Sequence, residues 1–298
     1  MSTPSAASSP TPRSSLRDIS LAQRADIEAR HPIVFRADVA RRAVTIGIVA
    51  AILGVYVFGL ATLDISWGAV FDGLTRLGEF AVLMMPPSFG TAARLSAYLS
   101  GLAATLAIAF LGTLLAAIIA FPFGFLAARN VIPNVFAHFA VRRVLDTLRA
   151  IDTLIWALIW INVVGLGPFA GILAIMTSDF GAFGKLFSEA VEATDAKAVE
   201  GILSTGGGHL QSVRFGLLPQ VLPVLISQVL YFFESNTRSA TIIGIVGAGG
   251  IGASLYEEIQ VNEWQHVAFL VLMILITVAA IDLISARLRV AIIGRRAA

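Results

Sequence analysis

The feature that most constrains this chain is its set of long apolar runs without charged residues. Residues 43–63 carry no charge, and neither do residues 95–128. A helix rises 1.5 Å per residue, so about 20 apolar residues cross the roughly 30 Å hydrocarbon core of a bilayer. The chain is 13% charged, whereas a soluble domain is about 25% charged. We therefore interpret the chain as an all-helical membrane protein.

Six apolar segments are predicted to cross the membrane. They are residues 43–63, 95–128, 145–164, 168–187, 215–233 and 265–281. The second segment is longer than one crossing requires, so we expect a tilted helix that is kinked at Pro122. A further helix around residues 67–80 is predicted to lie at the outer membrane–water interface.

Arginine residues indicate the orientation of these spans. They precede the first span, separate the second from the third, and end the chain: Arg41, Arg42, Arg129, Arg142, Arg143, Arg149, Arg287, Arg289, Arg295 and Arg296. The positive-inside rule then predicts that both termini are cytoplasmic. We expect a cytoplasmic amino-terminal tail at residues 1–42, disordered at its start. A first span and external loop at 43–94, a core transmembrane domain at 95–290 and a tail at 291–298 are expected to follow.

The fourth predicted span contains ionisable residues. Asp179 and Lys185 interrupt its apolar pattern. An ionisable group at membrane depth is by default functional or paired inside the bundle. We expect Asp179 to lie instead at the cytoplasmic end of a short span.

Several classes of function are excluded by composition. The chain has no cysteine, which rules out disulfides, thiolate metal sites and a cysteine nucleophile. The four histidines are scattered without the spacing of a metal site: His31, His138, His209 and His266. No basic stripe supports nucleic-acid binding. We expect neither a metal nor a nucleic acid as a partner.

A polar island at residues 188–214 separates the fourth span from the fifth. It starts with acidic residues and contains a glycine triplet at residues 206–208. Glycine loses the most backbone entropy on ordering and readily adopts positive φ, so a triplet breaks a helix. The pattern predicts a helix–turn–helix outside the bilayer, which is either an ordinary loop or a docking element for another protein.

A glycine-rich segment lies between the fifth and sixth spans. Gly247, Gly249, Gly250 and Gly252 formally match GxGxxG, but no strand and helix surround them as a dinucleotide site requires. Two interpretations remain open. The glycines form either a re-entrant bend that gates a pore or an ordinary small-residue packing surface between helices.

Polar residues near the end of the fifth span are candidates for lining an anion path. They are Glu234, Asn236, Arg238, Ser239 and Thr241. The alternative is an ion pair at the membrane interface, because Glu234 and Arg238 are spaced i, i+4 on one helical face.

The polar island resembles the EAA signature of permease subunits of binding-protein-dependent ABC importers. Glu200, Gly206 and Pro219 stand in the matching places, while Gly201 and Ile202 replace the two alanines. In such permeases this segment contains the coupling helix that docks on the ATPase subunit. The residues to which the resemblance gives a coupling role are Glu200, Gly201, Thr205, Gly206, Gly207, Gly208 and Pro219.

Four further blocks resemble the phosphonate importer permease, the PhnE family. They are residues 149–160, 164–171, 215–223 and 238–252, and the similarity covers about residues 95–285. The resemblance implies a MetI-like, multi-pass homodimer in the cytoplasmic (inner) membrane of a prokaryote. It implies transport of phosphonate or a related oxyanion, phosphite or phosphate, past the gate and path residues above.

The same resemblance implies the partners of the chain. An ATPase subunit dimer holds ATP and magnesium, an extracytoplasmic phosphonate-binding protein docks outside, and membrane lipid surrounds the spans. The chain itself is expected to bind no cofactor and to be a transport subunit rather than an enzyme. Two alternatives stay open. One is a permease of another importer branch, for inorganic phosphate or methionine. The other is a secondary transporter, although no inverted repeat is visible.

Overall fold

The computed structural model describes residues 39–63, 67–131 and 135–294. Most of the predicted amino-terminal tail and the last four residues of the chain lie outside the described residues. Within these ranges every regular element is helical, which confirms the all-helical fold class. The chain divides into two units, residues 1–75 and 76–298, and the cytoplasmic placement of both termini stays a prediction.

The first unit is built on one apolar helix. Helix α1, Val39–Thr62, contains the candidate span Arg42–Thr62, and the side chains of that span are exposed as those of a lipid-facing helix would be. Helix α2, Trp67–Leu83, starts in this unit and ends in the second. A helix is therefore present where one is predicted at residues 67–80.

The second unit contains the remaining helices. They are α3 (Ala92–Leu126), α4 (Val135–Ala150), α5 (Thr153–Val164), α6 (Pro168–Glu192), α7 (Ala196–Ser204), α8 (Leu218–Ile243), α9 (Ile251–Gln260) and α10 (Trp264–Ile293). Two π-helical segments flank α8, Ser212–Leu217 before it and Gly244–Ala248 after it. The turn His209–Gln211 leads into the first of them.

Five helical segments of the described chain are long and apolar enough to cross a membrane. They are Arg42–Thr62, Ala92–Leu126, Pro168–Glu192, His209–Ala248 and Trp264–Ile292. The pair α4 and α5 adds a sixth if the two helices form one broken span. These numbers agree with the prediction of about six spans.

The third predicted span is not the single helix that residues 145–164 suggest. Its two helices are bent by 88° at a break before Thr153. The carboxylate of Asp152 accepts a hydrogen bond from the backbone N–H of Leu154 at 2.8 Å, which satisfies an otherwise unpaired donor in the first turn of α5. The predicted third span therefore consists of two helices, because this cap starts a new helix inside the apolar run.

Helices α3 and α6 form the centre of the second unit. Small residues on α3 let the two backbones approach closely, as in other membrane helix pairs. A Cβ atom added at Gly112 would lie 2.8 Å from the side chain of Ile175, and one at Gly124 would lie 2.6 Å from that of Phe187. Ile175 and Phe187 are themselves fully buried. This contact fixes α6, and with it the polar residues that α6 carries.

Candidate functional site

The polar island folds into a helical hairpin, which we call the polar hairpin: helix α7, the turn at residues 205–208, and residues 209–217. Helix α7 starts at the cap Asp195, whose carboxylate accepts from the N–H of Lys197 at 3.0 Å. The turn reverses the chain at Gly206, whose φ is +84°. The N–H of Gly207 then donates a hydrogen bond to the carbonyl of Ile202 at 3.1 Å. The predicted helix–turn–helix is present, and the glycine triplet is its turn.

The two arms of the polar hairpin touch at a glycine that the sequence pattern did not single out. A Cβ atom at Gly216 would lie 3.2 Å from the carbonyl of Ala198 and from Cα of Val199. The arm containing Gly216 continues into α8, since the π-helical segment joins α8 without a break. Pro219 lies in the first turn of α8. The hairpin is therefore mechanically continuous with the longest candidate span, His209–Ala248.

The surface of the polar hairpin is apolar at its tip. Leu203 is 46% exposed and Leu210 is 81% exposed, on either side of the glycine turn. Glu200 and Thr205 are exposed nearby, while Gly201 has open space around its Cα. Two exposed leucines rimmed by polar residues give the hairpin tip an apolar surface that another protein can cover.

The glycine-rich segment after α8 forms a tight bend. Gly247, Gly249 and Gly250 have φ values of +101°, +79° and +81°, which side chains with a Cβ atom rarely adopt. Gly252 packs so closely on α8 that an added Cβ atom would collide with the carbonyl of Thr241. Both predicted features, a bend and small-residue packing, are therefore present, while a gating role stays a prediction.

The bend is covered by protein on two sides. The N–H of Gly167, in the turn between α5 and α6, donates to the carbonyl of Gly247 at 3.0 Å. The N–H of Ile251, the first residue of α9, donates to Oγ1 of Thr105 on α3 at 2.8 Å. Irregular backbone at membrane depth requires such partners, because lipid offers none.

The polar stretch of α8 divides between two faces. Arg238 pairs with Glu234 at 3.7 Å, as the i, i+4 spacing predicts, and with Asp282 of α10 at 3.2 Å. Glu234 in turn binds Arg289 of α10 at 2.8 Å. These residues form a four-charge network between α8 and α10. The hydroxyl of Thr241 donates to the carbonyl of Thr237 within its own helix.

The other face of α8 carries Asn236 into the interior. Its side-chain amide donates to Oγ1 of Thr113 on α3 at 2.8 Å and to the carboxylate of Asp179 on α6. All three side chains are buried. The expectation that Asp179 lies at the cytoplasmic end of a short span is wrong: α6 extends 13 residues beyond it, to Glu192. Pairing inside the bundle, the other option for such a residue, is what the structure contains.

A polar cavity of about 710 Å³ opens beside this buried network. Helices α4, α5, α6 and α8 line it, and its polar lining residues are Asp146, Arg149, Thr153, Ser178, Asp179, Lys185, Ser235, Asn236 and Ser239. Of the path residues predicted from the sequence, Asn236 and Ser239 line this cavity. Glu234 and Arg238 belong to the four-charge network instead.

The cavity also brings together two cations that no sequence motif assigns to a site. Lys185 approaches Asp146 at 3.3 Å, and Arg149 approaches the same carboxylate at 3.9 Å. In the sequence, Lys185 interrupts an apolar run, and Arg149 is one of the arginines that indicate orientation. Their distance in the chain concealed that they meet at one carboxylate.

Comparison with known proteins agrees with these features. The family model of binding-protein-dependent transport system inner membrane components matches residues 120–297. HtxC of Stutzerimonas stutzeri, a permease protein named for phosphite transport, is 38% identical over 87% of this chain and 91% of its own length. PhnE2 of Escherichia coli K12, named for a cryptic phosphonate transport system, is 49% identical over 40% of this chain and 97% of its own length.

The fold is also that of a solved importer. A chain of the MetNI methionine ABC transporter in an inward-facing conformation superimposes with a TM-score of 0.60 and 21% identity. The match covers 68% of this chain and 99% of that chain. The resemblance to the PhnE family and the MetI-like fold are thus confirmed. With its several candidate spans, the protein is a multi-pass transport subunit and belongs to the family of binding-protein-dependent transport system inner membrane components.

Proposed function

We propose that this chain is the permease subunit of an ABC importer that moves phosphonate, phosphite or phosphate into the cytoplasm. The observation that carries the proposal is the polar hairpin, which presents exposed leucines and continues directly into a membrane span. Family membership supports an importer, and the relatives HtxC and PhnE2 support a phosphorus oxyanion as cargo.

The hairpin suits the transmission of movement from an ATPase. Helix α6 ends at Glu192, three residues before the cap of α7, and α8 starts immediately after Leu217. A partner that displaces the hairpin therefore pulls on both spans. The close contact of Gly216 with α7 lets the two arms move as one body. Glu200, Gly201, Thr205, Gly206, Gly207, Gly208 and Pro219 would act here as docking and turn residues.

The partners follow from this role. An ATPase dimer would hold ATP and magnesium and hydrolyse the nucleotide, so the chemistry lies outside this chain. An extracytoplasmic binding protein would deliver the oxyanion to the opposite face. A second copy of the permease would complete a homodimer around the path. Exposed apolar side chains on α3, α8 and α10 offer surfaces both to lipid and to that copy.

The polar cavity favours an anionic cargo. Desolvating an oxyanion is costly unless donors or cations replace its water. Arg149 and Lys185 supply positive charge, and Asn236 and Ser239 are among the polar groups of the same cavity. Arg238, which is 46% exposed, would add a cation to the path beside it, and the bend at Gly247–Gly252 would act as the gate.

Uptake by intact cells tests the cargo. A strain lacking only this gene is supplied with labelled methylphosphonate, phosphite, phosphate or methionine, with and without the gene restored. Loss of phosphonate or phosphite uptake, recovered with the gene, is the expected result. Loss of phosphate uptake alone would narrow the cargo to inorganic phosphate. Loss of methionine uptake alone would contradict the proposal and indicate another importer branch.

Purification tests the assembly. The tagged permease is expected to retain an ATPase subunit, whereas a secondary transporter would come alone. The mass of the purified complex counts the permease copies. Two copies of this chain would support the homodimer, and one copy with a different permease would contradict it while leaving the importer in place.

A further inference from the structure

The two cations of the polar cavity, Lys185 and Arg149, share one carboxylate. Lys185 follows Asp179 by six residues on α6, which separates the two by about 9 Å along the helix axis. Arg149 meets Lys185 at the shared carboxylate of Asp146. The carboxylate of the buried Asp179 is bound by the amide of Asn236. The backbone of Arg149 packs against Gly181 of α6, between Asp179 and Lys185. An anion in the cavity is therefore drawn toward the cations and away from Asp179.

The cluster of Lys185, Arg149 and Asp146 carries more positive than negative charge. Nζ of Lys185 and Nε of Arg149 approach the same atom, Oδ1 of Asp146, so one carboxylate serves two cations. The Lys185 and Arg149 side chains are 28% and 44% exposed, which leaves both accessible to a ligand. Among the described residues, the Nη atoms of Arg149 have no hydrogen-bond partner. The guanidinium fork is thus available to an oxyanion.

Hydroxyl groups complete the wall. Ser235 and Ser239 line the cavity one turn apart on α8, and within the described part of the chain neither hydroxyl has a hydrogen-bond partner. Each can donate to a bound oxygen. A water molecule takes up about 30 Å³ of liquid, so a cavity of about 710 Å³ admits an oxyanion with part of its hydration shell.

We propose that the part of this cavity formed by Lys185 and Arg149 binds a tetrahedral phosphorus oxyanion, and that Asp146 is the counter-ion which the oxyanion displaces. The proposal rests on the proposed function and gives its cargo a site within the permease itself. Arginine binds two oxygens of such an ion in parallel, and lysine acts as a point charge. The serine hydroxyls can bind a further oxygen.

Asp146 explains how such a site releases its ion. When the oxyanion leaves, the carboxylate returns to both cations, so neither cation stays unpaired. A transport site must bind strongly enough to admit the ion and weakly enough to release it. Asp146 meets this requirement because it competes with the oxyanion for the two cations. Part of the binding free energy of the oxyanion is offset by the loss of the ion pairs with Asp146.

Direct binding to the purified permease tests this site. Wild-type protein in phosphatidylcholine nanodiscs is titrated with labelled inorganic phosphate and phosphite in equilibrium dialysis. Saturable binding is expected. Lys185→Gln and Arg149→Gln should each weaken it about ten-fold, the effect of one charged hydrogen bond, while Lys185→Arg should retain most of it. Arg287→Gln removes one positive charge from an exposed position away from the cavity, and this control should bind as the wild type does.

The Asp146→Asn variant distinguishes a displaced counter-ion from a structural ion pair. Removal of the competitor should tighten phosphate binding about three-fold or more, because Lys185 and Arg149 then stay unpaired until the ion arrives. Size-exclusion profiles verify that each variant is folded. Weaker binding by a folded Asp146→Asn protein would overturn the displacement, and wild-type binding by Lys185→Gln would overturn the site. A wild-type protein that binds neither ion would also overturn the site.

A lipid phosphate offers the same chemistry from another source. The titration is therefore repeated in nanodiscs containing phosphatidylglycerol, with native mass spectrometry of retained lipid. The cargo site would be overturned if the wild type retains phosphatidylglycerol, the Lys185→Gln variant loses it, and neither protein binds phosphate. Phosphite uptake by cells with the wild-type permease separates this site from the proposed function. If uptake is normal and every cavity variant binds phosphate and phosphite as the wild type does, the site is refuted and the proposed function stays intact.

Discussion

The side-chain amide of Asn236 donates a hydrogen bond to the carboxylate of Asp179, 57 positions away in the chain. Both side chains are buried, and the same amide also reaches Oγ1 of Thr113. The contact joins α3, α6 and α8 beside the polar cavity. Burying a polar or charged group is costly unless it is hydrogen-bonded, so Asn236 stabilises the packing of these three helices.

Removing Asn236 should destabilise the permease. Asn236→Leu leaves the buried Asp179 without its amide partner, and we expect a loss of about 2 kcal/mol or more in unfolding free energy. Asp179→Asn keeps an oxygen that accepts from Asn236, so its effect should be much smaller. Thermal unfolding in detergent measures both.

The double variant Asn236→Leu with Asp179→Leu is the internal control for this pair, because it removes both polar groups together. It should be more stable than Asn236→Leu alone. Equal stability of the single and double variants would show that the hydrogen bond is unimportant.

Thr105 should be required to hold the glycine-rich bend. Its Oγ1 accepts from the N–H of Ile251 at 2.8 Å, and Thr105→Val leaves that buried N–H unpaired at a cost of about 2 kcal/mol. Thr105→Ser keeps the hydroxyl and should behave nearly as the wild type. Unfolding measurements and uptake by cells check both variants. Equal loss in the serine and valine variants would contradict the role of the hydroxyl.

Gly207→Pro should uncouple ATP hydrolysis from transport. Proline removes the N–H that binds the carbonyl of Ile202 at 3.1 Å, and a Cβ atom at this position would lie 2.8 Å from that carbonyl. The polar hairpin then loses its turn. We expect the assembled importer to lose ATPase stimulation by loaded binding protein. Gly54→Ala in α1, where a Cβ atom meets nothing within 4 Å, is the control. Full stimulation in Gly207→Pro would refute the coupling role.

The exposed leucines of the polar hairpin should contribute to ATPase docking. Leu203→Ser and Leu210→Ser each remove an apolar side chain that a partner would bury, worth about 1.4 kcal/mol or more, or ten-fold in affinity. Binding of the purified ATPase subunit to the permease measures the change. Val261→Ser, which alters a residue 64% exposed in the turn after α9, should not affect it. Undiminished binding by both hairpin variants would place the docking surface elsewhere.

Arg238 provides a test of the path. Arg238→Ala should abolish uptake without preventing assembly, because a half-exposed cation is lost from α8. The same change leaves Asp282 unpaired, so the double variant Arg238→Ala with Asp282→Ala is needed as well. If Arg238 lines the substrate path, uptake should stay lost in the double variant. Recovery there would show that Arg238 serves only the four-charge network.

Local sequence patterns predicted the elements of the fold. Apolar length located the spans, since lipid leaves a helix few alternatives. The triplet Gly206–Gly208 located a turn because glycine adopts positive φ without strain, and the glycines of residues 247–252 located a bend for the same reason. One helix break was missed, since a capping residue such as Asp152 acts through a single hydrogen bond that apolar length does not record.

The partners of the polar residues were decided by tertiary structure. The sequence by itself determined that Asp179 and Lys185 stand on one helix and Arg149 on another. Only tertiary packing placed Asp179 against Asn236 of α8. The packing of α4 on α6, where Gly181 admits the backbone of Arg149 and Gly184 the side chain of Leu145, placed Lys185 near Arg149. Pairing energies between charges depend on distance and burial, and neither quantity is local in the chain. For that reason the sequence predicted a membrane permease, while its polar cavity became apparent only in the folded protein.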